Sequence, residues 1–261
     1  MFSEFFPCHS FFIVFGFILI LLGTLLPFKK KRYRGLKKKT LVNWVSENRR
    51  PVFYGILVLG VFLRTLNLEF FLVTDEPFYI YAAKQVYLGY EPYADFFFSQ
   101  PPLEVYLTAS SFKLFGLGLL QARLIPFIFS IASMILVYRI SRRVYPKNPD
   151  YALLSFALFT LTHSMIVVPT QAILYSPMIF LGLSSTYFFI AGLEGERGFY
   201  LFGAGVLAGF SLWSKLSGGV FLVAEAVYIL WFFRGKSLRL LIPLVTGFSL
   251  VSSFFFGYFY S

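Results

Sequence analysis

Long apolar runs separated by short charged ones set the pattern of this chain. Apolar stretches at 11–28, 52–72, 121–141, 151–168, 172–192, 199–215, 217–233 and 238–260 each approach the ~20 residues that cross a hydrocarbon core about 30 Å thick. They predict an all-α polytopic membrane protein with about eight transmembrane helices. Loops 141–150, 194–198 and 234–239 join residues 29–50 on one side, and 73–120, 169–171 and the C-terminus fall on the other.

Two stretches stand out from the apolar background. "KKKRYRGLKKKTLVNWVSENRR" (29–50) holds ten of the 23 Lys and Arg against one acid, Glu47. A basic block beside apolar spans is a cytoplasmic anchor drawn to anionic head groups. The other, "VTDEPFYIYAAKQVYLGYEPYADFFFSQPPLEVYL" (73–107), holds Asp75, Glu76, Glu91, Asp95 and Glu104 against one Lys84, out of twelve acids in the chain. It lies in a large outward-facing loop, 73–120. Within that loop, 101–116 carries Glu104 and Lys113. A helix lying at or dipping into the outer interface suits it, because a span there would put Arg142, Arg143, Arg234, Lys236 and Arg239 outside.

Composition agrees with the pattern. The 261 residues are 58% hydrophobic and 13% charged, with mean hydropathy +0.74, well short of the charge of a soluble domain. The net charge of +11 is concentrated in 29–50, so it reads as a topology signal and not as a nucleic-acid surface. The N-terminus lacks a basic region and a small-residue cleavage site, which makes 11–28 a first span and not a removable signal. One cysteine, Cys8, excludes an internal disulfide, and two histidines, His9 and His163, are too few for a His-rich zinc site. His163 is expected to be a packing residue. Trp44, Trp213 and Trp231 fall near predicted helix ends, where indole prefers the interface. Ala204, Gly205, Ala208 and Gly209 make a small face suited to helix packing.

Inside the outward loop, "TDEPFYIYAAKQVYLG" predicts a short helix capped by Thr74 or Asp75, with Pro77 in its first turn and Gly89 as its stop. An ordinary cap accounts for one carboxylate. It does not account for the adjacent pair, nor for Glu91, Asp95 and Tyr79, Tyr81, Tyr87, Tyr90 and Tyr93. Tyrosines offer flat faces with hydroxyl tips, which suit both sugar rings and a membrane interface. Arg64, Glu69 and Glu225 lie within spans and need polar partners. Arg64 and Glu69 are expected near the loop, and Glu225 is expected to support Lys215 as an ion pair.

The order Asp75-Glu76, Tyr79, "LGYEPYADF", "PPL" and "LFG" with Arg123 beyond resembles the first external loop of polyprenyl-phosphate-sugar-dependent glycosyltransferases. These form the GT-C class, which includes protein O-mannosyltransferases, lipid A aminoarabinose transferases and the RgtA-type family. "GAGVLAGFSLWSKLSGG" (203–219) is similar to their Gly-rich helix ending in lysine, and the resemblance covers roughly residues 52–235. It implies Asp75 and Glu76 as catalytic residues, with Asp75 taking a proton from an acceptor hydroxyl or amine and Glu76 orienting the acceptor or helping to place Asp75. It also implies Lys215 and Arg123 at the donor phosphate, and Tyr79, Tyr93, Asp95 and Gln100 at the substrate.

The chain departs from the pattern at three places. Gln100 stands where many relatives have lysine or histidine, Pro77-Phe78 follow Asp-Glu where some have arginine, and Gln171 stands where relatives often have an acid. No metal is required by the sequence, and a divalent cation stays open. The resemblance divides the chain into 1–50, an extra N-terminal helix with the basic loop, and 51–261, a GT-C-like domain without the family's C-terminal part. It implies a polyprenyl-phosphate-linked sugar, a protein, lipid or glycan acceptor and membrane lipids as partners, and no nucleic acid. A flippase for lipid-linked sugar and a non-catalytic accessory subunit are the competing readings. Transporters place polar residues near the midplane, whereas here they gather at one surface.

Overall fold

A computed structural model describes residues 40–68 and 75–260. Span 11–28, Cys8, His9, most of the basic block, Glu69 and Thr74 lie outside the described residues. The chain divides into 1–48 and 49–261. In the first unit, Thr40–Glu47 forms helix α1, with Trp44 exposed at mid-helix.

The second unit is all helical among the described residues. Its helices are α2 (Arg49–Thr65), α3 (Glu76–Tyr87), α4 (Leu103–Phe115), α5 (Leu119–Val144), α6 (Pro149–Leu161), α7 (His163–Val167), α8 (Tyr175–Glu194), α9 (Gly198–Ser214), α10 (Val220–Phe232) and α11 (Ser237–Tyr260). Three stretches, Leu119–Val144, Tyr175–Glu194 and Arg234–Phe259, are long and apolar enough to cross a bilayer. A fourth is reached if the bent pair Pro149–Leu161 and His163–Thr170 counts as one span. Gly198–Ser214 and Leu216–Phe232 are apolar but shorter.

The expected span 151–168 is broken by a 74° bend where α6 meets α7. A break in a helix frees carbonyls that must be satisfied inside an apolar setting. Arg64 meets that demand. Its guanidinium donates to Thr160 O at 3.2 Å, Met165 O at 2.7 Å, Gly60 O at 3.0 Å and Ser130 Oγ at 2.7 Å. It therefore ties α2 and α5 to both sides of the bend.

Helices α8, α9 and α11 form the close-packed centre of the unit. Ala204, Leu201, Leu240 and Leu244 are buried together there. A Cβ on Gly205 would sit 1.9 Å from Leu244 O, and one on Gly247 would sit 2.2 Å from Phe202 O. The small face on α9 is thus filled by the backbone of α11, as packing through small residues requires. Trp213 also belongs to this packing. It sits next to the last residue of α9, as expected, and its ring is buried and stacks on Phe255 at 4.6 Å, whereas Trp231 is exposed.

The charged connections collect at one end of the bundle. Arg49 pairs with Asp150 at 2.6 Å, Arg143 with Glu194 at 2.7 Å, and Lys236 with Glu196. These link the start of α2, the α5–α6 turn, the α8–α9 turn and the α10–α11 turn. Because α5 and α8 run the length of the bundle, Leu119 and Tyr175 lie at the opposite end, where α3 and α4 are found.

Candidate functional site

The acidic loop folds as two short helices. In α3, Pro77 occupies the first turn and Gly89 ends the helix at φ +100. The amides of Gly89 and Tyr90 return to Val86 O and Gln85 O at 3.1 Å each, the doubly bonded C-terminal stop that a glycine in the left-handed region permits. Helix α4, at thirteen residues, is about 20 Å long, too short for the hydrocarbon core. Ala82, Ala83 and Val86 of α3 pack on Val105, Ala109 and Phe112 of α4, with Phe98, Ala122 and Ala172 closing the cluster.

Asp75 stands at the N-cap of α3, yet its side chain makes no cap hydrogen bond. Its carbonyl takes the helix amides of Phe78 and Tyr79, and the residue is exposed. The carboxylate is therefore not consumed by capping, the commonest use of an Asp in this position.

Glu76, one residue on, has the opposite environment. It is fully buried, and Arg123 of α5 grips it through Nε to Oε1 at 2.7 Å and Nη2 to Oε2 at 2.5 Å. Ala172 N donates to Oε1 at 2.9 Å. Arg123 Nη1 also donates to Asn67 O at 3.0 Å and Leu68 O at 2.9 Å. Four N–H donors of Arg123 are thus committed to protein oxygens. The expectation that Arg123 faces a donor phosphate gives way to this finding: its guanidinium is sealed, 1% exposed, and acts on the position of α3. Glu76 likewise has no open edge toward an acceptor.

Lys215 follows the last residue of α9 in extended backbone, between α9 and the turn Leu216–Gly219. Its ammonium lies 3.6 Å above the ring of Tyr175, the first residue of α8, a cation–π contact. It makes no pair with Glu225, contrary to expectation. Glu225 accepts from Ser185 Oγ at 2.8 Å inside the bundle.

Tyr79 connects the two sides. Burial foremost, then electrostatic interaction with Asp75, Tyr175 and Glu104, pushes its phenol up to about 12. Those causes mark Asp75, Tyr175 and Glu104 as electrostatic neighbours of one hydroxyl. Tyr175 carries Lys215 on its face, and Ala172, three residues before Tyr175, bonds Glu76 beside Asp75, so Asp75 and Lys215 stand at the same end of the bundle. Both phenols keep apolar rings and a polar tip in this region.

The remaining expected substrate residues are brought together in one turn. Tyr93 takes a left-handed φ of 71 and donates its hydroxyl to Gln100 O at 2.5 Å. Asp95 Oδ2 accepts Glu91 N at 2.8 Å, which closes the loop on itself. Asp95 is therefore a turn-forming carboxylate, and Gln100 enters through its backbone. Tyr93 and Phe98 present rings beside Phe259 and Phe78.

Glu104 and Tyr175 were not singled out for function from the sequence. Tyr175 had a legible signal, an aromatic in the external turn "VVPTQAILYSP". Glu104 had one as well, a lone acid in an apolar helix. Glu104 is 1% exposed, accepts Thr108 Oγ1 at 3.1 Å through Oε1, and has no partner on Oε2 among the described residues. Burial holds its acid well above the ordinary value of 4.5.

Among the described residues no group of three or more His, Cys, Asp or Glu is placed to hold a metal ion. His163, expected to pack inside, is exposed at the start of α7.

Comparison with known proteins gives one family. The family model described as dolichyl-phosphate-mannose-protein mannosyltransferase matches residues 99–257, more than half of the chain. The matched segment contains Gln100, Glu104, Arg123, Tyr175 and Lys215 and begins beyond Asp75 and Glu76. No curated protein and no solved structure matches the chain.

Proposed function

The chain belongs to the dolichyl-phosphate-mannose-protein mannosyltransferase family, and from that premise we propose that it moves a sugar from a polyprenyl-phosphate donor to an acceptor hydroxyl or amine on the extracytoplasmic face of a membrane. The observation that carries this reading is the placement of Asp75. Its carboxylate is exposed and unused by its own helix, at the end of the bundle that also holds Lys215 over Tyr175.

In this mechanism the acceptor oxygen or nitrogen attacks the anomeric carbon while its proton passes to Asp75. The bond between that carbon and the phosphate oxygen breaks, and the electron pair leaves with the polyprenyl phosphate. General-base assistance of this kind contributes on the order of 10²–10⁴ in rate. Lys215 neutralises the charge growing on the departing phosphate, where a fixed cation is most effective. Glu76 and Arg123 do not touch the reacting atoms. They hold the start of α3 against α5 and the turn at Ala172, and so fix the position of Asp75. Tyr79 and Tyr175 supply ring faces and hydroxyls to the sugar.

The acidic end is extracytoplasmic in this reading because the ion-paired connections at the other end carry the basic residues. The test is transfer of radiolabelled mannose from dolichyl phosphate mannose to an acceptor pool, using the full chain in proteoliposomes. Labelled glycosidic product supports the enzyme. Movement of intact lipid-linked sugar across the bilayer without product supports a flippase.

A further inference from the structure

A buried carboxyl group at the edge of the site has no part in the mechanism above. Glu104 lies in the first turn of α4 and is 1% exposed. Its Oε1 is occupied by Thr108, and its buried Oε2 has no partner among the described residues. A buried polar atom without a partner costs stability and calls for an explanation, such as a catalytic part or a ligand.

The groups around Glu104 decide its protonation. Thr108 lies on its own helix, and Tyr79 of α3 is an electrostatic neighbour that it shares with Asp75 and Tyr175. From α5 the charged residue is Arg123, already committed to Glu76. Helix α9 contributes apolar and small residues at this end apart from Ser211 and Ser214, and α11 brings Tyr258 and Phe259 beside Tyr106. Besides Glu76, which Arg123 holds, the acids at this end are Asp75 and, beside Tyr106, Glu91, and among the described residues no cation is paired with Glu104, whose one hydrogen-bond partner is Thr108. Burial favours the protonated form. A protonated carboxyl whose Oε1 accepts from Thr108 carries its hydrogen on Oε2.

Helix α3, which packs on α4 beside Glu104, carries aromatic rings. Phe78 is exposed on α3 with its ring stacked at 5.6 Å on Phe98, which is buried in the α3–α4 core, and an exposed aromatic face is the kind that takes a sugar ring. The cation suited to phosphate lies beyond Tyr175.

We propose that Glu104 is a sugar-binding residue of this site, present as a neutral carboxylic acid that donates its Oε2 hydrogen to an oxygen of the donor's sugar. The proposal rests on the reading of the site as a lipid-linked-sugar transferase, and adds the group that recognises the sugar. A structural account of Glu104 makes a different forecast, because an acid buried only for packing is replaced by an apolar side chain without loss.

The experiment compares binding of dolichyl phosphate mannose with binding of dolichyl phosphate alone to the detergent-purified full chain. Glu104→Leu removes the donor, and Glu104→Gln keeps a neutral N–H donor of similar shape. The expected result is that Glu104→Leu weakens the mannosylated lipid about tenfold, leaves the bare lipid phosphate unchanged, and melts no lower than the wild type. Glu104→Gln stays close to wild type for both lipids. Raising the pH weakens mannosylated-lipid binding in the wild type and not in Glu104→Gln.

Equal weakening of both lipids by Glu104→Leu, or no weakening of either, overturns the proposal. So does a stable Glu104→Gln that binds as poorly as Glu104→Leu. Where the wild type binds the mannosylated lipid but makes no product, the transferase mechanism fails and these lipid comparisons still decide Glu104. Where the wild type binds neither lipid, the reading of the site and the inference resting on it fall together.

Discussion

Arg123 and Glu76 meet in a two-pronged ion pair, 2.7 and 2.5 Å between nitrogen and oxygen, with both side chains sealed from solvent. The pair joins α5 to the first turn of α3, and Ala172 N and the carbonyls of Asn67 and Leu68 complete it. Removing one partner of a buried pair leaves the other charge unpaired, at a cost of about 3–5 kcal/mol. Arg123→Leu is therefore expected to lower thermal stability strongly, measured by melting in detergent. Glu76→Gln, which keeps the shape and one acceptor, is expected to lose less stability. Both are expected to reduce transfer through misplacement of Asp75.

Lys215 is a half-buried cation at this end of the bundle, with its ammonium 3.6 Å from the Tyr175 ring centre. A group that stabilises charge only as the phosphate leaves acts chiefly on kcat. Lys215→Gln is expected to lower kcat by about 10²–10³, the range for losing one such donor. Tyr175→Leu removes the cation–π contact and frees the lysine, and about fivefold is expected, from roughly 1 kcal/mol. Steady-state kinetics with the lipid donor check both.

Glu104 makes stability depend on pH in a defined direction. Its acid is held above the ordinary 4.5 by burial, so the folded protein binds a proton that the unfolded chain releases. Stability from this group is full below pH 4.5 and declines as pH rises from there through the raised value. Melting temperature measured across that window is expected to fall less steeply in Glu104→Gln than in the wild type.

The α9–α11 contact is expected to tolerate no added side chain. A methyl group on Gly205 meets the Leu244 carbonyl at 1.9 Å, and that backbone has no flexible end to yield. Gly205→Ala is expected to cost about 1–3 kcal/mol, read by thermal melting. Gly55→Ala, where a Cβ meets nothing within 4 Å, is the control expected to have little effect.

Much of this architecture was legible in the apolar pattern, because a helix at membrane depth must satisfy its own backbone and so writes a long uninterrupted run. The runs behind α5, α8 and α11 matched observed helices closely. The break inside 151–168 was not legible, since a bend at Thr162 leaves hydropathy unchanged and shows only in which carbonyls Arg64 takes. The short helix after Asp75 was legible from Pro77 and Gly89, whose backbone limits are local. Partner choice was not local. Arg123 and Lys215 look alike as isolated cations beside apolar runs. Only the fold shows one closed on Glu76 across 47 residues of chain and the other resting on an aromatic face. Asp95 was hidden for the same reason, since its amide partner at Glu91 depends on the turn around Tyr93.

The most direct measurement is single-turnover transfer of labelled mannose from dolichyl phosphate mannose by Asp75→Asn in proteoliposomes, set beside its binding of the same lipid. Asparagine preserves the size of the side chain and removes the base. With Asp75 as proton acceptor, the chemical step slows by about 10²–10⁴ while lipid binding holds. Transfer at the wild-type rate by a variant that binds the lipid normally would contradict the account.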